Sequence, residues 1–121
     1  MTALLVAVGA ALGAPLRYLT DRFIRARFGT TFPWGTLAVN VVGSFLLGML
    51  MAGWVRDHLD DEMLALFGVG FCGALTTYST FGFETLRLLE DGARWHAFGN
   101  VAGNVVAGLA AAAAGWLLIP A

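Results

Sequence analysis

A run of hydroxyl-bearing residues, TTYST at positions 76–80, interrupts an apolar stretch that is long enough to cross a membrane. Hydroxyl and β-branched residues weaken a helix interior, so the run predicts that the helix breaks between Gly73 and Thr80. In lipid, such a break is tolerated only where the backbone is buried in protein or lines a cavity. The alternative is a continuous helix whose hydroxyls bond back to its own carbonyls.

A break would supply two kinds of ion ligand. Freed main-chain carbonyls suit a small, hard cation such as Na⁺. The hydroxyls of Thr77, Ser79 and Thr80 suit a small, hard anion, as do the positive ring edges of Tyr78 and Phe81. The run alone does not favour either interpretation, an ion-binding break or a continuous helix with hydrogen-bonded hydroxyls.

Two stripes of polar and small residues lie in apolar segments at four-residue spacing, and side chains so spaced share one helix face. The first stripe contains Asn40; the second contains Asn100, interpreted as interfacial, and the deeper Asn104. The Asn40 amide carries two N–H donors and one acceptor, which are costly to leave unpaired in hydrocarbon. Either it makes an interhelical hydrogen bond, or it faces a polar passage as a donor. The complete first stripe is Thr36, Asn40, Ser44 and Gly48.

The apolar segments lack the groups that enzymes and coupled transporters usually need. No Asp or Glu lies within their cores, and His58 and His96 both fall in predicted loops. A proton-coupled exporter needs a buried acid and a metal site needs clustered His, Cys or carboxylate ligands, so neither is predicted. No nucleophile–base pair is present, so we expect no enzymatic activity. What remains is a permeation path lined by neutral donors and flanked by arginines, which suits an anion better than a cation.

The elements that position these residues are predicted to be membrane helices. Of the 121 residues, 59% are hydrophobic and 12% are charged, whereas a soluble domain carries roughly a quarter charged residues. The net charge of −1 gives no reason to expect a nucleic-acid partner, and the partner is expected to be the lipid bilayer. Apolar stretches of about 20 residues predict a single all-α domain, residues 1–121. Its four spans cover about 2–22, 34–55, 63–83 and 98–119, and the first is expected to continue as an amphipathic helix end toward Phe28. Loops are predicted at residues 27–33, 56–62 and 84–97.

Small residues recur at four-residue spacing in the first and last spans. Lipid provides no hydrophobic drive between helices, so small faces that permit close backbone approach are the usual means of association. Packing within the chain explains most of these residues, but their excess favours an oligomer. The residues are Gly9 and Gly13 in the first span, and Gly99, Gly103, Ala107, Ala111 and Gly115 in the last.

Three motifs carry a family resemblance. GAPLRY in the first span, GTLAVNVVGSFLLG in the second and GFCGALTTYSTFGFE in the third resemble the Fluc (CrcB) family of bacterial fluoride channels. The resemblance covers essentially the whole chain. It implies an antiparallel, dual-topology dimer with two narrow pores and a structural Na⁺ at the centre of the dimer interface. It also implies passive fluoride efflux across the bacterial plasma or inner membrane.

The resemblance assigns roles to individual positions. Asn40 matches the pore-lining asparagine of the second helix, and Phe81 matches the second of two phenylalanines whose ring edges face fluoride. Tyr78 stands at the first of these two positions, where it keeps the ring but adds a hydroxyl. Gly73 and Thr76 match the positions at the helix break whose main-chain carbonyls bind Na⁺.

Further polar positions match the hydroxyl-bearing track of the family. Ser79 and Thr80 match the part of the track near the aromatic pair, and Asn104 falls where many relatives carry a track serine.

Two charged positions also match the family. Glu84 matches an acid near one end of the pore; the alternative is an ion pair with Arg87, three residues on. Arg17 matches the arginine of the first-helix motif, which would raise the local anion concentration in a vestibule. The alternative for Arg17 is a helix-end arginine that extends to the membrane surface.

Arginines are unevenly distributed between the two predicted sides of the membrane. The first and third loops lie on the same predicted side of the membrane and carry five arginines, whereas the other side carries only Arg56. This bias favours a fixed orientation with those loops cytoplasmic, whereas an antiparallel homodimer needs insertion both ways. Either some of the arginines lie on an interfacial helix end and count weakly, or the chain pairs with an oppositely biased paralogue; the homodimer is favoured. The five are Arg22, Arg25, Arg27, Arg87 and Arg94.

These features together predict a passive, fluoride-selective channel that exports fluoride from the cytoplasm and confers fluoride resistance. One alternative is a proton-coupled exporter of fluoride or small cations, which would need a proton gradient for flux. The other is a non-transporting structural membrane subunit, in which Asn40 and the hydroxyl run merely pack helices.

Overall fold

Four helices long and apolar enough to cross a membrane make up the chain, in a computed structural model that describes residues 1–120. Helix α1 spans Thr2–Phe28, α2 spans Trp34–Val55 and the last helix spans Arg94–Leu118. Between α2 and the last helix lies a third span, Asp61–Glu90, which consists of several pieces.

The third span is broken in its middle, where the hydroxyl run predicts a break. Thr76 has an extended backbone with φ −79° and ψ 162°, and residues 76–78 lie outside any helix. The continuous-helix alternative is therefore wrong. The pieces before the break are α3 (Asp61–Met63), a π-helical stretch (Leu64–Cys72) and α4 (Gly73–Leu75); α5 (Ser79–Glu90) follows it and α6 (Arg94–Leu118) is the last helix.

Two helix ends differ from the sequence-based boundaries. The loop predicted for residues 84–97 is largely helical, because α5 continues to Glu90 and α6 begins at Arg94. Glu, Leu and Arg are good helix formers, and charges near the membrane surface do not end a helix. The turn between α5 and α6 uses Gly92 at φ 79°. Helix α1 continues beyond its apolar part to Phe28, as expected, and stops at Gly29, at φ 84°, a conformation that glycine adopts readily.

Helix α1 packs on the first half of the third span through backbone contact. Gly9 and Gly13 are buried, and a Cβ atom at either would collide with main-chain atoms of Leu66 or Phe71. Glycine is required at these two positions because the opposing backbone leaves no room for a side chain.

A second close approach joins α2 to α6. A Cβ at Gly48 would meet the main chain of Ala112, and one at Gly115 would meet the main chain of Phe45. Four of the small residues of the membrane helices thus serve packing within the chain, as the sequence allows. The contacts at Gly99 and Gly103 are ordinary, with Phe32 at 3.7 Å and Leu37 at 3.9 Å.

The interior of the bundle is small and partly polar. Among the described residues, the only fully buried side chain of any size is that of Asn100, which has 0% exposure. The buried apolar residues are mostly small: Val39, Ala52, Ala65, Cys72, Leu75 and Ala97. In this chain an amide occupies the place that a large apolar side chain fills in a soluble protein.

Candidate ion pathway

The amide of Asn40 on α2 lies against the break in the third span. The backbone N–H of Thr77 donates to Asn40 Oδ1 at 2.9 Å, and Asn40 Nδ2 donates to the Thr77 carbonyl at 3.2 Å. This pair of bonds mimics the pairing of two peptide groups. It satisfies backbone groups that would otherwise be unpaired inside a membrane.

The break leaves main-chain carbonyls without helical partners. In a continuous helix, the N–H of Thr77 would donate to the carbonyl of Gly73, but here it donates to Asn40. The N–H of Thr80 would donate to the carbonyl of Thr76, but it donates to Thr77 Oγ1 at 3.1 Å. The carbonyls of Gly73 and Thr76 are thereby released from the helical pattern.

A series of hydrogen bonds runs from Asn40 across α6 to α5. Asn40 Nδ2 donates to Asn104 Oδ1 at 2.9 Å, and Asn104 Nδ2 donates to the carbonyl and Oδ1 of Asn100 at 2.7 and 3.0 Å. Asn100 Nδ2 donates to Thr85 Oγ1 at 2.9 Å, and Thr85 Oγ1 donates to the carbonyl of Phe81 at 2.8 Å. We call Asn40, Asn104, Asn100 and Thr85 the amide network.

The amide network changes two of the sequence-based interpretations. Asn100, interpreted as interfacial from its place in the span, is fully buried among the helices at the centre of the network. Thr85 was missed altogether, although its spacing of four residues from Phe81 was a signal that both lie on one face of α5. Asn40 makes the interhelical bonds of the packing interpretation, with both of its N–H groups engaged.

The aromatic pair flanks a groove next to the break. The ring centroids of Tyr78 and Phe81 are 6.2 Å apart with their planes tilted by 46°. Tyr78 is 86% exposed and Phe81 is half-buried. The groove has a volume of about 650 Å³. It collects six of the residues predicted for the ion pathway and the cation site: Asn40, Gly73, Thr76, Tyr78, Phe81 and Asn104.

A second cavity, of about 600 Å³, lies between the end of α1, the loop that follows it and α5. Thr80 and Glu84 line this cavity, which we call the outer cavity, together with Arg25 and Arg87. Glu84 accepts a hydrogen bond from Thr36 Oγ1 at 2.5 Å, and its Oε2 lies 3.6 Å from Arg25 Nη2. The Glu84 side chain is only 12% exposed. The alternative ion pair with Arg87 is wrong: within residues 1–120, the partner of Glu84 is Arg25.

Two residues predicted for the pathway lie apart from both cavities. Arg17 is half-buried on α1, and in the described part of the chain it makes no ion pair or side-chain hydrogen bond. Ser79 is exposed at the start of α5. Neither residue lines the groove or the outer cavity.

The carbonyls at the break are the candidate ligands for a cation. No group of three His, Cys, Asp or Glu side chains within residues 1–120 is arranged to hold a metal ion. Main-chain carbonyls are neutral oxygen donors, which suit a hard monovalent cation better than a transition metal.

Comparison with known proteins gives consistent matches over nearly the whole chain. Residues 4–116 match the family described as CrcB-like protein, Camphor Resistance (CrcB). The chain is 54% identical over 123 residues to "Fluoride-specific ion channel FluC 1" of Frankia casuarinae, with 95% of this chain and 93% of the relative covered. It is 53% identical over 119 residues to the protein of the same name from Streptomyces avermitilis, with 95% and 93% covered. It is 50% identical over 123 residues to the one from Thermobifida fusca, with 98% and 99% covered.

Proposed function

The chain belongs to the CrcB-like protein family, and from this premise we propose that it is a passive, fluoride-selective ion channel. The observation that carries the proposal is identity of 50–54% to proteins named as fluoride-specific channels, over at least 95% of this chain. The chain is a multi-pass bacterial membrane protein and, as a member of a channel family, not an enzyme.

The two cavities suggest the course of the ion. Thr80 lines the outer cavity and Thr77 lines the groove, and the two are joined by the hydrogen bond from Thr80 N to Thr77 Oγ1. Fluoride would enter the outer cavity, pass between Asn40 and the break, and leave along the groove beside Phe81. Each stage exchanges water for N–H, hydroxyl or ring-edge contacts, which are neutral and therefore release the ion again.

Asn40 takes part in this passage by exchanging partners. Both of its N–H groups are engaged, one by the Thr77 carbonyl and one by Asn104 Oδ1. An arriving fluoride would take the place of one of these oxygens, so the amide stays paired before, during and after the ion passes. This exchange avoids the cost of an unpaired donor in a low-dielectric interior.

Conduction would be passive. Glu84, the acid predicted for the pathway, lines the outer cavity, where it accepts from Thr36 and lies 3.6 Å from Arg25; Asp21 and Asp91 line the same cavity. A coupled exporter needs an acid that alternates between protonated and ionised forms along the path. A carboxylate that already accepts a hydrogen bond from Thr36 and has a cation nearby is poorly suited to that role.

The cation of the family is proposed to bind at the break. The carbonyls of Gly73 and Thr76 have lost their helical N–H partners, which is the donor chemistry that Na⁺ requires. Bound Na⁺ would provide a fixed positive charge that holds the broken backbone in place. Gly73 and Thr76 both lie on the groove, so the cation would sit beside the proposed path.

The channel is proposed to assemble as an antiparallel homodimer. The groove is open, Tyr78 is 86% exposed, and within residues 1–120 nothing outside the neighbouring residues and the helix's own backbone lies within 4 Å of a Cβ built at Gly73 or Gly82. A second chain on this face would cover the groove and complete a narrow path. Crosslinking in lipid bilayers that recovered only single chains would contradict the dimer, and flux that needed an added paralogue would indicate a heterodimer.

Fluoride release from vesicles tests the channel directly. Purified chain is reconstituted into liposomes loaded with potassium fluoride, and valinomycin is added so that potassium leaves with the anion. A fluoride electrode should record release without any proton gradient, while vesicles loaded with potassium chloride should retain their anion. Release that occurs only with a proton gradient would identify a coupled exporter, and no release would indicate a structural subunit.

A further inference from the structure

The amide network has a direction that its main-chain contacts impose. The N–H of Thr77 needs an acceptor and the Thr77 carbonyl needs a donor, so Asn40 must point Oδ1 to the first and Nδ2 to the second. The carbonyl of Asn100 likewise requires Nδ2 of Asn104, which turns Asn104 Oδ1 toward Asn40. Neither amide can be rotated by half a turn without opposing two donors or two acceptors.

The same direction continues to the helix that carries the aromatic ring. Thr85 has one hydroxyl proton, which is donated to the carbonyl of Phe81, so its oxygen is available to accept from Asn100. The network therefore runs as donor to acceptor from the amide at the break to the main chain of Phe81. Asn100, at the centre of the network, has 0% exposure, so water does not compete for its side chain, while Asn40, Asn104 and Thr85 are half-buried.

Helix α5 has few other restraints on its position. The break at residues 76–78 separates it from α4, and none of its residues is fully buried. Its side-chain bonds to the rest of the chain are those of Thr85 to Asn100 and of Glu84 to Thr36, with the looser ion pair to Arg25. Packing alone leaves this helix less firmly held than the first half of the span.

We propose that Asn100 and Thr85 are positioning residues that hold Phe81 at a fixed distance from Asn40. Neither residue is proposed to touch the ion. They act by setting how far the ring on α5 stands from the amide on α2, and a narrow path tolerates little variation in that distance. The proposal rests on the proposed fluoride conduction.

The test substitutes Thr85, because Val has the shape of Thr but cannot bond with Asn100. Vesicles are prepared with at most a single channel each, so the fraction of vesicles that empties counts folded channels and the rate of emptying reports conduction. Thr85→Val should slow fluoride release by about tenfold while the emptying fraction stays unchanged. Thr85→Ser keeps the hydroxyl and should restore the wild-type rate. The double variant with Asn100→Ala should be no slower than the slower single variant, because both break the same connection.

The control is Thr20→Val on α1, since Thr20 makes no side-chain hydrogen bond within residues 1–120. It should leave both the rate and the emptying fraction unchanged. If Thr85→Val yields no emptying vesicles, Thr85→Ala removes the same hydroxyl with a better helix former and should show the same slowing.

Three outcomes overturn the proposal. A wild-type rate in Thr85→Val or Thr85→Ala shows that the bond does not affect conduction. A reduced emptying fraction with a wild-type rate shows that Thr85 serves folding only. If the unaltered chain releases no fluoride, the proposed function itself fails, and that result is seen before any variant is made.

Discussion

The third span (Asp61–Glu90) meets its neighbours in two contrasting ways. Toward α1, its first half makes backbone contact at Gly9 and Gly13, and within residues 1–120 no side-chain hydrogen bond joins α1 to residues 61–75. On its other side, side chains of α2 and α6 hold the second half of the span. Asn40 on α2 bonds to the break, and α5 is bonded by Thr36 on α2 and Asn100 on α6.

The difference follows from the state of the backbone. Where the helix is intact, its own peptide groups are paired and close packing of small residues is enough to hold a neighbour in lipid. Where the helix is broken, side-chain amides supply the missing partners. Changes on the α1 side should therefore affect assembly, whereas changes on the α2 and α6 side should affect conduction.

The largest effect is expected on the α1 side, from Gly9→Val. The new side chain would collide with main-chain atoms of Leu66, which cannot move without displacing the span, so about 1–3 kcal/mol or more of stability is lost. The yield of monodisperse protein in detergent should fall severely. Gly103→Val is the matched control, because the nearest atom to its Cβ belongs to the flexible side chain of Leu37 at 3.9 Å. Equal yields for both variants would contradict the packing contrast.

A smaller effect is expected at the outer cavity, from Arg25→Gln. Glu84 would lose the cation at 3.6 Å and Asp21 the same cation at 2.8 Å, and both carboxylates line the outer cavity that fluoride is proposed to enter. Release should slow by a few-fold at low salt and less at high salt, because salt screens this repulsion. Glu84→Gln in the same chain should restore part of the rate, because the charge of Asp21 remains, whereas Arg27→Gln, outside the cavity lining, should have no effect. If Glu84→Gln slows release further in the Arg25→Gln chain, the charge of Glu84 is not what slows release, and the argument is wrong.

The smallest effect is expected from Tyr78→Phe. The ring that faces Phe81 at 6.2 Å is kept, and only a hydroxyl on a side chain that is 86% exposed is removed. Release should stay within about twofold of the wild-type rate, because in the proposed pathway the ring edge rather than the hydroxyl interacts with the anion. A loss as large as that of Tyr78→Ile would show instead that the hydroxyl is a ligand.

Much of the fold could be predicted from local features of the sequence. The four apolar segments and the weak helix-forming run at residues 76–80 depend only on residues that are close in sequence, so composition and helix propensity are enough to identify them. The end of α5 at Glu90 was missed, because the charged residues after position 83 were taken to mark a loop. Near a membrane surface, charged residues mark only the end of the apolar region and not the end of the helix.

The partners within the site could not be predicted in the same way. Asn40 bonds to Thr77 and Asn104, which are 37 and 64 residues away, and Glu84 meets Thr36 from 48 residues away. Such contacts depend on how each helix is rotated about its axis, which the sequence pattern constrains only to a broad face. The burial of Asn100 was missed for this reason, because only its position along the span was considered and not the helices that surround it.

The most direct test is the fluoride release rate of Asn40→Asp in vesicles that hold at most a single channel. The substitution preserves shape but replaces the Nδ2 donor with an oxygen that opposes the Thr77 carbonyl and Asn104 Oδ1, and it adds negative charge beside the break. Release from the unaltered chain should be fast and selective for fluoride over chloride, and in this variant it should be at least about a hundredfold slower. A wild-type rate in Asn40→Asp would contradict the passage of fluoride between Asn40 and the broken helix.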